Sequence, residues 1–192
     1  MAIAKSAALF AAITAIALSG CTQPDPNAAP TYTCTPTTGT PQPCYKAEHD
    51  LHAKEDALYA EAEAVYRKYI AEHVRIYRAG GATTASPVIL ETLTGEALQE
   101  VLKSDREIAA NHTRAVGGEF KIGYLRRVPR EVVGDSVATW ESCVDATSVT
   151  FKDDKPPRPG SIGLERAYFS QTEEGLKISS FAHSLGVVES CE

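Results

Sequence analysis

The chain has 192 residues, with 19 Lys and Arg against 25 Asp and Glu, a formal charge of −6. That balance excludes a nucleic-acid role, since neutralising phosphates takes a basic face, and it argues against broad adhesion to anionic headgroups. The length suits one folded domain and a connecting segment. No nucleotide motif, phosphate-cradling glycine loop or Ser-His-Asp signature is present, and no cofactor is expected.

Residues 1–20 have the build of an export signal. Lys5 is the lone charge, and Ala7 to Leu18 is an apolar run of about a dozen residues. That is short of the roughly 20 needed to cross a bilayer. Leu18-Ser19-Gly20-Cys21 closes the run. It resembles the lipobox of bacterial lipoprotein signal peptides. The resemblance implies cleavage after Gly20, lipidation of Cys21, and a protein held at the outer face of the cytoplasmic membrane by its acyl chains. Removal of residues 1–20 takes Lys5 alone, leaving 18 basic and 25 acidic residues and a charge of −7.

From Thr22 to Pro43, thirteen of 22 residues are Thr or Pro. Such a stretch buries no core, and the composition predicts an extended, polyproline-like tether over residues 21–46. With Cys21 lipidated, Cys34, Cys44, Cys143 and Cys191 form an even set with three possible pairings. Cys34–Cys44 within the tether and Cys143–Cys191 within the domain are favoured. No Cys-x-x-Cys spacing supports zinc.

A folded domain is expected over residues 47–192. Leu51, Leu58, Ala62, Val65, Tyr69 and Ile76, widened by Tyr59, Tyr66, Ile70 and Tyr77, predict one long amphipathic helix over 47–79. Gly80-Gly81 ends it. Asp50–Lys54 and Glu63–Arg67 are acid-before-base pairs at i,i+4. His49, His52 and Asp56 have a spacing that a metal could use. The surrounding Lys46, Glu48, Lys54 and Glu55 read instead as a solvated first turn, and no metal is expected. The tyrosines read as large core residues with hydroxyls reaching edge partners.

Residues 86–116 read as helical. Ser86-Pro87 opens a short helix, and Thr94 caps a second carrying Leu98, Val101, Leu102, Asp105 and Ile108 on one stripe. Asp105 either lies at the stripe's boundary or points into a cavity. Beyond Gly117-Gly118 the period changes to two. Strands are expected at 119–124, at 136–144 with a continuation toward Phe151, at 162–172 and at 176–184, the last two as a hairpin around Glu173-Glu174-Gly175. Arg126, Arg127 and Arg130 read as a solvated strand end, with contact to phospholipid headgroups or an acidic partner as the alternative.

Helices followed by antiparallel strands give an α+β fold with helices on one face of a sheet. The layout resembles the NTF2-like cone. Leu18-Ser19-Gly20-Cys21, the Cys34/Cys44 pair, Ala60-Glu61-Ala62-Glu63-Ala64-Val65-Tyr66-Arg67 and Ser142-Cys143-Val144-Asp145 together resemble small actinobacterial lipoproteins. That resemblance implies a location and a fold, not a reaction. Relatives of the cone include ketosteroid-isomerase-like enzymes with an Asp or His base against a Tyr donor, for which Asp105, Asp145, His183 and the tyrosines of the long helix are the weak candidates here. The reading favoured is a lipid-anchored domain without catalytic activity that binds an envelope protein or an apolar small molecule. An NTF2-like enzyme or carrier and a superinfection-excluding surface lipoprotein are the alternatives.

Overall fold

The structure, a computed structural model, describes residues 31–36, 39–182 and 187–191. Cys21 and His183 lie outside the described residues. The architecture is α+β, with one long helix and two shorter ones packed against antiparallel sheet.

The connecting segment is not extended throughout. β1 (Tyr32–Cys34) and β2 (Gln42–Cys44) pair antiparallel, tied by the Cys34–Cys44 disulfide. Tyr32 stacks on His49, with ring centroids 4.9 Å apart. The tether reading of residues 21–46 is therefore corrected at its C-terminal end. A bridge between residues ten apart supplies the constraint that a segment with few apolar side chains lacks.

Helix α1 (Lys46–Ala79) ends at Gly80, whose φ of +90° is the left-handed conformation that Gly adopts cheaply. Gly81 donates to the Ile76 carbonyl at 3.0 Å. The buried face runs through Tyr59, Ala62, Tyr66, Tyr69 and Ile76. It is rotated from the Leu51–Leu58–Val65 line, and Leu51 is 65% exposed. The tyrosines take the centre because the opposing sheet offers both apolar surface and partners for a hydroxyl. Glu63 pairs with Arg67 as expected, whereas Asp50 pairs backward with Lys46 rather than forward with Lys54.

α2 (Pro87–Thr92) starts at Ser86, whose hydroxyl accepts from the Ile89 N–H at 3.2 Å. α3 (Gly95–Ala110) starts after Thr94, whose side chain makes no cap bond; its backbone N–H donates to Ile178 instead. The helical reading of 86–116 stops short, because residues 114–116 form β3 (Arg114–Val116). The break falls at His112, with φ +52°.

The main sheet is built from β4 (Lys121–Arg127), β5 (Ser136–Asp145), β8 (Ile162–Thr172) and β9 (Gly175–Ala182), with β10 (Val187–Val188). β5 lies between β4 and β8, and both β9 and β10 pair with β8. The expected continuation of β5 to Phe151 is instead a separate strand, β6 (Thr150–Lys152). It joins β3 and β7 (Arg158–Pro159) in a three-stranded sheet. Cys143 bonds Cys191, bringing the chain end across β4 at Gly123. A Cβ on Gly123 would stand 2.5 Å from that of Cys191.

The core lies between α1 and the inner face of the main sheet. Trp140 and Tyr59 meet edge to face at 5.6 Å, with Ala138, Ala167, Phe169 and Ile178 fully or nearly buried around them. A satellite cluster of Ala115, Ala146 and Val149 closes under the small sheet at the far end of α1.

The outer face of the main sheet is polar yet covered. Glu141 is 3% exposed. It accepts from Arg126, from Tyr124 at 3.0 Å and from Arg166 at 2.9 Å. Burial alone would raise its pKa; the hydrogen bonds from Arg166, Tyr124 and Arg126 outweigh that and hold it below the ordinary value. Arg166 and Tyr168 in turn grip the Glu131 carboxylate at 2.7 Å each, and the Thr139 hydroxyl donates to the Glu131 carbonyl at 2.6 Å. The loop between β4 and β5 is thereby fastened to the sheet. Arg127 likewise bonds Asp56 and lies over the Tyr59 ring, so two of the three arginines read as a solvated strand end are engaged.

Candidate functional site: a cleft beside an aromatic ladder

Along α1, Tyr66, Tyr69, His73 and Tyr77 succeed one another at steps of three, four and four, which stacks them on one helix face. Their rings touch in sequence. Tyr66 and Tyr69 are 6.1 Å apart, Tyr69 and His73 5.4 Å, and His73 and Tyr77 4.5 Å with the rings nearly perpendicular. Phe181 adds to Tyr69 from β9, and Phe120 and Phe151 add to Tyr77.

Between this ladder and the β5–β8 part of the sheet lies a cleft of about 270 Å³. Ile70, Val74, Phe120, Val144 and Leu164 give it apolar walls; Tyr69, His73, Tyr77 and Glu165 bring the polar atoms.

Glu165 is placed from behind by a buried relay. The Tyr66 hydroxyl, on a side chain that is 0% exposed, donates to Glu165 Oε1 at 2.6 Å. That uses its only proton, so the 2.5 Å contact with Ser142 Oγ is a bond donated by the serine. Desolvation, then the Glu165 charge, pushes the Tyr66 pKa well up, and the phenol stays protonated.

His73 is a neutral imidazole. Burial lowers its pKa to about 4. Its Nδ1 has no hydrogen-bond partner among the described residues and stands 3.9 Å from Asp105 Oδ1. Asp105 is 1% exposed, and neither carboxylate oxygen has a hydrogen-bond partner among the described residues. Burial, with a contribution from Glu72, raises its pKa to about 6. A carboxyl this poorly solvated favours its neutral form.

Asp105, Asp145 and His183 do not meet in this cleft; of the tyrosine candidates on the long helix, Tyr69 and Tyr77 line it. Asp105 is the buried centre of the α3 stripe, not its boundary, but it stands behind His73 and does not line the cleft. Asp145 ends β5 and accepts from the Thr147 N–H at 2.8 Å and the Thr147 hydroxyl at 2.7 Å. Those bonds hold its pKa down and make it a turn residue. His183 lies outside the described residues. His73 and Glu165, which line the cleft as well, were missed. His73 continues the three-four spacing of the tyrosines. Glu165 shares strand parity with the buried Ala167 and Phe169; an acid on that face was the readable signal.

Among the described residues, Cys34, Cys44 and Glu48 cluster within 4.8 Å, but the two sulfurs are bonded to each other and offer no thiolate. No described helix is long and apolar enough to cross a membrane. Both disulfides fit an extracytoplasmic domain, since such bonds persist in oxidising compartments.

No family model and no curated protein matches the chain. Among solved structures, the chain is similar to the intermembrane space region of chloroplast protein ARC6. The match has 17% identity and a TM-score of 0.45, and covers 67% of this chain and 95% of that one. A likeness at that level carries no functional argument.

Proposed function

We propose that this chain is a lipid-anchored, extracytoplasmic binding domain. Its ligand is a small apolar molecule with one hydrogen-bonding group, held between α1 and the sheet. The observation that carries this reading is the cleft itself, whose apolar walls surround Glu165 and a neutral His73. Its volume of about 270 Å³ lies at the lower edge of the roughly 300–1,000 Å³ usual for ligand sites, which suits a compact molecule. An imidazole with a pKa near 4 is a poor base at neutral pH, which favours holding over turnover. The anchor reading rests on Leu18-Ser19-Gly20-Cys21 and on the even cysteine count that remains when Cys21 is set aside.

The test is a titration of medium-chain fatty acids, monoterpenoid alcohols and alkylphenols against the purified chain, read as the thermal midpoint. A ligand at one hundred times its Kd stabilises by about 2.7 kcal/mol. Val74→Trp, which fills the cleft, should abolish the shift. The reading fails if no compound in the panel moves the wild-type midpoint further than that of the filled variant.

A second reading is an isomerase-type enzyme. It is favoured by the presence of a carboxylate and an imidazole in one apolar cleft. Conversion of a bound ketosteroid-like compound, lost in Glu165→Gln with binding retained, would select it.

A further inference from the structure

Burial leaves six large apolar side chains exposed among the described residues, and three of them, Leu51, Val132 and Val137, line one groove. Leu51, Leu58, Val132 and Val137 line a groove of about 430 Å³, with Lys54, Arg130, Glu55 and Glu131 on it. Leu51 is 65% and Val132 61% exposed. Isolated exposed apolar residues need no explanation, but a contiguous group marks an interaction surface.

The exposure is enforced by the fold. Glu131 is gripped by Arg166, Tyr168 and Thr139. Two residues on, the Val133 N–H donates to Ser136 Oγ at 2.9 Å and its carbonyl accepts from the Ser136 N–H at 3.1 Å. Val132 sits between these two fixed points and cannot fold back over the groove without breaking them.

We infer that this face docks on the interfacial region of a phospholipid bilayer. The inference rests on the anchor reading above and adds an orientation to it. The length and end point of the chain select the bilayer as occupant. Only about ten residues, 22–31, separate Cys21 from Tyr32, a span of about 30 Å at most when extended as polyproline. Tyr32 stacks on His49, two positions from Leu51. The groove lies on the opposite side of the helix from that stack, but a helix is only about 10–12 Å across, well within reach. Lys54 and Arg130 stand on the groove beside Glu55 and Glu131, so this face is charge-balanced on a chain that is acidic overall, and it meets headgroups without net repulsion. Apolar burial is then what holds it to the membrane interface.

The experiment places a reporter in the groove. Val132→Trp is prepared in the lipidated chain reconstituted into phosphatidylcholine–phosphatidylglycerol nanodiscs with and without brominated acyl chains, and Glu173→Trp at the exposed β8–β9 turn serves as control. The same variants, with a hexahistidine in place of residues 1–21, are tethered to nickel-chelating vesicles, which supplies an attachment whether or not Cys21 is acylated. Blue-shifted emission quenched by brominated lipid at position 132 and not at 173, on both supports, is the expected result. Paired Leu51→Asn and Val132→Asn substitutions should weaken partition of the untethered chain about tenfold for each side chain withdrawn from the interface. Position 132 staying unquenched while the tethered chain is on the vesicle overturns the inference and leaves the anchor intact. Loss of the nanodisc signal alone, with an unmodified Cys21 mass, fails the anchor and spares the docking face. A blue shift that depends on protein concentration without lipid assigns the face to a second copy and refutes the bilayer.

Discussion

Replacing Tyr66 with Phe removes one oxygen from the centre of the molecule and leaves the ring in place. The lost hydroxyl donates to Glu165 at 2.6 Å and accepts from Ser142 at 2.5 Å, in a side chain that is 0% exposed. A hydrogen bond to a charged group contributes about 1.5–3 kcal/mol and a neutral one about 1 kcal/mol, and a buried partner left unpaired loses its solvation as well. The expected cost is about 3 kcal/mol. For a domain of this size that lowers the thermal midpoint by roughly 6–12 °C. Urea and thermal unfolding of the oxidised chain, followed by far-UV circular dichroism, measure it. Ser142→Ala alone should cost about 1 kcal/mol, and the double variant should cost less than the two singles combined. A Tyr66→Phe protein within about 0.5 kcal/mol of wild type would show that the relay contributes no net stability and that Glu165 is not held by it.

The His73–Asp105 pair predicts opposed pH dependences. Asp105 has its folded pKa raised to about 6, so its folded form binds more protons than the unfolded chain, and its contribution is lost as pH climbs from about 4 to 6. His73 has its folded pKa lowered to about 4, so its contribution grows as pH climbs from about 4 to 6.5. The two slopes offset one another in the wild type; Asp105→Asn should unmask a stability that rises with pH across that window, measured by urea titration at several pH values. Cys143→Ala with Cys191→Ala opens a crosslink between residues 48 apart and should cost about 4 kcal/mol of global stability. Cys34→Ala with Cys44→Ala should instead loosen the hairpin alone, seen as faster hydrogen exchange in β1 and the first turns of α1 with the cleft unaffected. Gly81→Ala places a Cβ 2.4 Å from the Ala109 nitrogen at a φ of +89°. It should cost at least about 2 kcal/mol by forcing α1 and α3 apart, visible as a drop in the thermal midpoint.

The elements legible in the sequence are those with a strong local signal. α1 carries more than four heptads of periodicity and a glycine stop, and its end at Ala79 falls where Gly80-Gly81 places it. The β8–β9 hairpin is announced by alternation on both sides of Glu173-Glu174-Gly175. What local pattern cannot convey is which strand meets which helix. β6 reads as an extension of β5 until β3 is known to lie beside it, and β3 reads as the tail of a helix until His112 turns the chain. The rotation of the α1 face has the same cause. Leu51 scores as core by spacing alone, but the sheet begins opposite Tyr59, and among the described residues none reaches back to bury it. Asp145 is a candidate base by residue type alone, yet its carboxylate is satisfied two residues away at Thr147. Glu165 drew none, because an acid within an alternating strand reads as solvent-facing and its partner Tyr66 is 99 residues distant.

α1 has 34 residues with no Gly or Pro between Lys46 and Ala79, a continuous rod of about 50 Å without a breakpoint. Its first turns hold the disulfide hairpin and the Leu51 groove, and its last turns carry His73 and Tyr77 into the cleft. About 33 Å separates Leu51 from His73 along the axis. A rod with no joint transmits displacement. The hairpin end of α1 and the aromatic wall of the cleft therefore belong to one unbroken element, and the spacing between Leu51 and His73 is set by the helix and not by a loop.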